Sequence, residues 1–103
     1  MSDSKEGGGE NAGARALYRR KAVALRYQRQ QDTAPRVTAS GRGLIAETIM
    51  KKARDAGVTM MEDPDLVDLL GKIPVGETIP PTLYKAVAEV LAYVYRMNKS
   101  FPN

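Results

Sequence analysis

The longest uninterrupted helical pattern in this chain covers residues 79–97. Pro80 and Pro81 end an extended segment and favour a helix start, and neither Gly nor Pro interrupts the run that follows. Apolar residues recur along it at intervals of three and four in two adjacent stripes. The first stripe, the core stripe, consists of Leu83, Val87, Val90, Val94 and Met97. The second, the outer stripe, consists of Tyr84, Ala88, Leu91 and Tyr95.

This double stripe is the strongest constraint on what the chain folds into. The candidate solvent face of the helix is narrow and consists of Lys85, Glu89, Ala92 and Arg96. A chain of 103 residues forms one small domain with one modest core, which readily covers one stripe of a helix. The pattern therefore leaves two alternatives open for the outer stripe: it is buried by an enveloping fold, or it faces a partner.

Composition excludes several classes of chemistry. The chain has no Cys and no His, which removes disulfides, Cys/His zinc sites and catalysis by thiol or imidazole groups. The first residues lack the apolar core of a signal peptide, and no run is long enough to cross a bilayer. We therefore expect a cytoplasmic protein. The Gly-rich residues 1–14 have no large apolar residue after Met1, so we expect a flexible tail there, a domain at residues 15–99 and a short tail at residues 100–103.

The net charge of +4 is concentrated in one block. Residues 15–43 carry eight basic residues and one acidic residue, whereas the rest of the chain is close to balanced or acidic. The predicted basic surface consists of Arg15, Arg19, Arg20, Lys21, Arg26 and Arg29. A solvated face explains such a run most simply, and an acidic protein, a membrane surface or nucleic acid are the alternative partners. No nucleic-acid-binding signature accompanies the block, so we expect no nucleic-acid partner.

The order of patterns predicts an α/β (α+β) fold. Alternating apolar residues predict strands at residues 22–27 and 36–40, and a helical stripe follows from Leu44 through Ile45, Ile49 and Ala53 to Ala56. Residues 58–61 suit a short buried third strand, Leu66, Leu69 and Leu70 supply the buried side of a short helix, and residues 77–79 suit a brief fourth strand. We expect a small four-stranded mixed sheet surrounded by helices, with a long C-terminal helix.

Two candidate sites have simpler structural explanations. Residues 41–46 match the dinucleotide-binding pattern G-x-G-x-x-A at a predicted strand-to-helix turn, but the chain is too short for the paired halves of such a fold. Acidic residues occur at Glu62, Asp63, Asp65 and Asp68 without the spacing of a calcium loop, and capping of a helix start explains them. We predict no cofactor, no metal and no catalytic residue.

An ordered series of motifs resembles the cytoplasmic domain of the FlhB/YscU family, the substrate-specificity switches of flagellar and virulence type III export. The motifs are residues 22–27, residues 34–37 with 41–46, and residues 79–94, and the similarity covers roughly residues 17 to 99. The resemblance implies a four-stranded sheet wrapped by helices. It also implies a surface that docks export substrates, which corresponds here to Ala34, Pro35, Ala88 and Leu91.

The chain departs from the family pattern in two ways. Switch proteins carry an Asn-Pro-Thr-His tetrad whose Asn cleaves its own chain, whereas residues 17–20 here read Leu-Tyr-Arg-Arg. The amino-terminal transmembrane domain of the family is also missing from this sequence. The resemblance therefore implies a stand-alone paralogue that does not cleave itself.

The resulting hypothesis is a monomeric, noncatalytic binding module. It docks rod- or hook-type export substrates, or export-gate membrane proteins, in a shallow groove between Pro35 and the last helix. Peripheral association with the inner face of the membrane is a further expectation from the basic block. The first alternative is a structural or regulatory part that replaces the C-terminal fragment of a full-length switch protein, and the second is a basic nucleic-acid-binding protein.

Overall fold

A β-hairpin forms the centre of the fold. The computed structural model describes the backbone of residues 19–99 and the side chains of residues 19–98. Strand β1 (Lys21–Arg26) pairs antiparallel with strand β2 (Arg36–Arg42), and the register places Lys21 opposite Arg42 and Arg26 opposite Arg36. The alternation of Val23 and Leu25 explains the strand, because both side chains pack against the hydrophobic core. Pro35 directly precedes β2, where a residue without an N–H is tolerated.

The predicted four-stranded sheet is not confirmed, because the paired strands within residues 19–99 are β1 and β2. The predicted fourth strand is reduced to a single bridge between Arg36 and Thr78. Two backbone hydrogen bonds flank this bridge: Val37 N–H donates to Glu77 O at 3.0 Å, and Ile79 N–H donates to Pro35 O at 2.9 Å. This segment therefore lies along the free edge of β2 without forming a full strand.

The prediction of a buried third strand at residues 58–61 is wrong. Val58, Met60 and Met61 are 57%, 42% and 47% exposed. The N–H of Val58 donates to Ala53 O at 2.8 Å, so it completes the end of a helix and is not available to a sheet. The hydroxyl of Thr59 lies 3.4 Å from Asn98 Oδ1, which brings this segment beside the end of the last helix.

Helix α1 (Leu44–Asp55) packs on the hairpin. It begins after Gly43, whose φ of 59° is accessible to Gly at little cost, and Gly57 follows its end with a φ of 72°. Its fully buried residue is Ala46. The predicted stripe is wrong at its two ends, because Leu44 and Ile45 are 70% and 61% exposed and Ala56 is also exposed.

Helix α2 (Pro64–Leu70) begins as the acidic run predicts. The carboxylate of Asp63 caps it by accepting a 3.1 Å hydrogen bond from Leu66 N–H, and Pro64 occupies the first turn. Leu66 and Leu70 are buried, whereas Leu69 is 46% exposed, contrary to its predicted burial. The acidic residue at position 63 thus has a structural role.

Helix α3 (Tyr84–Lys99) follows a short 3-10 turn (Pro81–Leu83) and supplies one wall of the core. Val87 is fully buried and forms the core cluster with Leu66, Leu70 and Ile79. The residues packed around this cluster are Val23, Leu25, Ile73, Leu83, Ala86, Val90 and Leu91. The core stripe is thereby confirmed for Leu83, Val87 and Val90, and Met97 at its end is 38% exposed.

Candidate docking surface

The outer stripe of α3 faces mainly outward. Tyr84 is 46% exposed, Tyr95 is 59% exposed, Ala88 is exposed and Leu91 is half-buried against the core cluster. From Tyr84 to Tyr95 the stripe spans about 16 Å, at about 1.5 Å of helix per residue. Of the two alternatives that the sequence leaves open, the structure therefore supports an outward-facing stripe, anchored at Leu91.

The other two residues of the predicted groove are buried. Ala34 is 4% exposed, and Pro35 is buried beside it. The Pro35 carbonyl accepts a hydrogen bond from Ile79 N–H at 2.9 Å, and Ile79 lies in the core cluster against which Leu91 packs. Pro35 and Leu91 thus both contact the core cluster, Pro35 through its hydrogen bond to Ile79 and Leu91 through its side chain. Of the four predicted residues, Ala88 and Leu91 have accessible side chains.

Three of the six residues of the predicted basic surface form ion pairs. Arg20 pairs with Glu47 on α1, Lys21 Nζ lies 2.5 Å from Asp68 Oδ1 on α2, and Arg26 lies 3.7 Å from Asp32. Arg19 and Arg29 are exposed, and Arg15 lies outside the described residues. Exposed ion pairs contribute little to stability, yet they reduce the charge that this face offers to a polyanion. The arrangement favours a solvated, partly neutralised face.

Asp68 is a residue whose electrostatic role the sequence patterns missed. The hydrogen bond from Lys21 is the main cause that lowers the pKa of Asp68 below its ordinary value, and the charges of Lys21, Arg42 and Lys72 lower it further. Lys21 and Arg42 are directly opposite in the β-ladder, where like charges repel. Lys21 and Arg42 lie just outside the two predicted strands, and the pairing of Lys21 with Asp68 has no local sequence signal because it depends on the fold.

The G-x-G-x-x-A pattern is explained by close packing. A Cβ atom at Gly41 would overlap the side chain of Ile45 and would lie 2.8 Å from its Cβ. Gly43 supplies the positive φ at the turn into α1, and its N–H donates to Arg20 O at 2.9 Å. The glycines therefore satisfy the geometry of the strand-to-helix turn.

We predict that Gly41→Ala lowers the free energy of unfolding by about 1–3 kcal/mol, because the added methyl group forces Ile45 away from β2. Urea denaturation measures the loss. The double variant Gly41→Ala with Ile45→Ala recovers part of it, since the nearest overlapping atom belongs to the Ile45 side chain. Equal stability of Gly41→Ala and the wild type would contradict the packing explanation.

These elements define a small mixed α/β domain with an exposed apolar helix face, and no helix within residues 19–99 has the length and hydropathy to span a bilayer. The chain belongs to the FlhB HrpN YscU SpaS family, whose sequence profile matches residues 19–94. The resemblance found in the motifs is thereby confirmed.

Curated relatives differ in how much of their length the chain covers. It is 46% identical over 84 residues to YlqH of Bacillus subtilis (strain 168), covering 82% of this chain and 90% of that protein. It is 42% identical over 74 residues to the flagellar biosynthetic protein FlhB of Aquifex aeolicus, covering 71% of this chain and 21% of that protein. The chain thus spans a small part of the length of this FlhB protein.

Solved structures show the same fold. The cytoplasmic domain of FlhB from Shewanella putrefaciens superposes with a TM-score of 0.73 at 31% identity, covering 78% of this chain and 66% of that one. The PscU C-terminal domain superposes with a TM-score of 0.68 at 28% identity, covering 71% of this chain and 94% of that one. Both solved chains are cytoplasmic or C-terminal domains of their proteins, and the matched region includes most of this chain.

Proposed function

We propose that this chain is a noncatalytic binding module of a flagellar or type III protein export apparatus. The outer stripe of α3 carries the proposal, because it exposes two Tyr rings and Ala88 beside the half-buried Leu91. Large exposed apolar areas on small domains are typical of protein-binding surfaces. Membership in a family of export proteins indicates which partners to test.

The proposed ligand is an apolar segment of an export substrate of the rod or hook type. Tyr side chains suit such a surface because they supply apolar contact area together with a polar hydroxyl. Leu91 would lie at the base of the contact, where it rests on the core cluster, and Ala88 would allow a partner segment to approach the helix backbone closely. Ala34 and Pro35 are buried, so their role would be indirect. Pro35 would help to hold Ile79 in place through its hydrogen bond, and Ile79 lies in the core cluster against which Leu91 packs.

A pull-down with the immobilised full chain tests the partner class. We offer it a purified rod or hook subunit and, separately, detergent-solubilised export-gate membrane proteins. Retention of the subunit supports substrate docking. Retention of the gate proteins without the subunit would instead support the alternative, a structural or regulatory substitute for the C-terminal fragment of a full-length switch protein.

The proposal also includes domain limits and location. We place the domain at residues 15–99, with tails at residues 1–14 and 100–103, and expect a monomer in the cytoplasm at the inner face of the membrane. Association with the membrane would depend on the basic surface, of which Arg20, Lys21 and Arg26 have acidic partners within the domain. We therefore expect weak, salt-sensitive attachment.

We predict that the purified chain keeps its intact mass. Family members with the Asn-Pro-Thr-His tetrad cleave themselves through attack of the Asn side chain, and the corresponding position here is Leu17, which has no nucleophilic group. Mass spectrometry after days at room temperature measures the outcome. Two fragments that separate between Leu17 and Tyr18 would contradict the noncatalytic assignment.

A further inference from the structure

A cleft of about 430 Å³ lies between the hairpin and the end of α2, on a part of the surface that the outer stripe does not include. The start of β1 and the end of β2 form one wall, and the end of α2 forms the other. Small residues make up much of its lining, namely Ala22, Ser40, Gly41 and Gly71. Because these side chains are short, a ligand can approach the backbone of the hairpin.

Three basic side chains line this cleft, and one acidic side chain accompanies them. Lys21 and Arg42 are opposite in the β-ladder, and Lys72 follows α2. Asp68 is hydrogen-bonded to Lys21 at 2.5 Å, so these two charges offset each other. Arg42 and Lys72 are exposed, and neither forms an ion pair within residues 19–99. The cleft therefore has an excess of two positive charges.

An anionic ligand relieves the repulsion among these bases. Like charges opposite each other in a sheet are destabilising, and Asp68 is hydrogen-bonded to one member of the Lys21 and Arg42 pair. A guanidinium binds a carboxylate through two parallel hydrogen bonds, and an ammonium adds a point charge. A carboxylate ligand thus suits Arg42, and a second carboxylate suits Lys72.

The volume and the charges together favour a peptide ligand over a compact anion. A cleft of about 430 Å³ is within the size range of ordinary ligand sites, whereas a phosphate ion fills a small part of it. The Asp68 carboxylate also lies in the cleft and repels a compact dianion, while carboxylates spread along a chain can bind Arg42 and Lys72 separately. We propose that this cleft binds an acidic segment of a partner polypeptide.

Fluorescence anisotropy with a labelled probe peptide, (Gly-Glu)₄, tests the proposal at about 0.1 M ionic strength, where the Debye length is about 10 Å and distant charges are largely screened. We expect saturable binding to the full chain. The double variant Arg42→Gln with Lys72→Gln should bind at least about tenfold more weakly. A matched double variant, Lys52→Gln with Arg54→Gln, removes the same two charge types from exposed positions of α1 outside the cleft, and it should bind within about twofold of wild type.

Each other outcome contradicts the proposal. No binding of the peptide would overturn the proposal outright, and an equal loss in both double variants would show that net charge alone is responsible. Displacement of the peptide by inorganic phosphate at equal or lower concentration would show a simple anion site. Circular dichroism confirms that the variants are folded.

Discussion

Replacing Ile79 with Ala should lower the free energy of unfolding by about 3–4 kcal/mol. Ile79 is 2% exposed, and it connects the core cluster with the residue that precedes β2. Its side chain packs in the core cluster with Val87 of α3, and its N–H donates to Pro35 O beside β2. Truncation leaves a cavity at this junction, because neighbours on three elements cannot all move in to fill it. Urea denaturation followed by circular dichroism measures the change.

The matched control is Ile45→Ala, which makes the same chemical change at a residue that is 61% exposed. We expect a loss below about 1 kcal/mol there, since an exposed side chain gives up little buried area. A small domain has a total stability of about 5–15 kcal/mol, so the difference between the two variants is easily measured. Equal losses would mean that Ile79 does not lie in the principal core.

Replacing Ala88 with Asp should weaken binding of a rod or hook subunit by at least about tenfold, equivalent to about 1.4 kcal/mol. Ala88 is exposed in the middle of the outer stripe, so a carboxylate there must be desolvated when an apolar segment docks. The cost to folding is small, since the side chain is outside the core and Asp lowers helix propensity by about 0.7 kcal/mol or less. Isothermal titration calorimetry measures the affinity.

The control is Ala56→Asp, which makes the same change at an exposed residue just after the end of α1, outside α3. This variant should bind within about threefold of wild type. Leu91→Asp is a second probe, and it should abolish binding while also lowering stability, because Leu91 packs against the core cluster. Full affinity of Ala88→Asp, in a folded protein, would contradict docking on this stripe.

The sequence predicts the elements with long or regular patterns. The core stripe recurs over four turns and is confirmed at Leu83, Val87 and Val90. Val23 and Leu25 alternate as a half-buried strand requires, and both pack against the core. The cap at Asp63 is also predictable, because it depends on contacts within one helical turn. Local periodicity and local hydrogen bonding thus account for most of the architecture.

Predictions that depend on contacts between distant segments are less successful. The apolar run at residues 58–61 is too short for its pattern to distinguish a buried strand from an exposed connection, and the N–H of Val58 is used by the end of α1. The ion pair of Lys21 with Asp68 joins residues 47 positions apart, so the fold must be known before it can be found. The spacing of apolar residues along the helix could not decide whether the outer stripe is buried, because its burial depends on which elements pack beside α3.

The most direct test of the docking surface is a nuclear magnetic resonance titration of the ¹⁵N-labelled full chain with a purified rod or hook subunit. We expect the amide signals of Tyr84, Ala88, Leu91 and Tyr95 to shift or broaden, while signals from the exposed side of α1 stay in place. No change on addition of the subunit, or changes confined to residues outside α3, would contradict the proposal that the outer stripe binds export substrates.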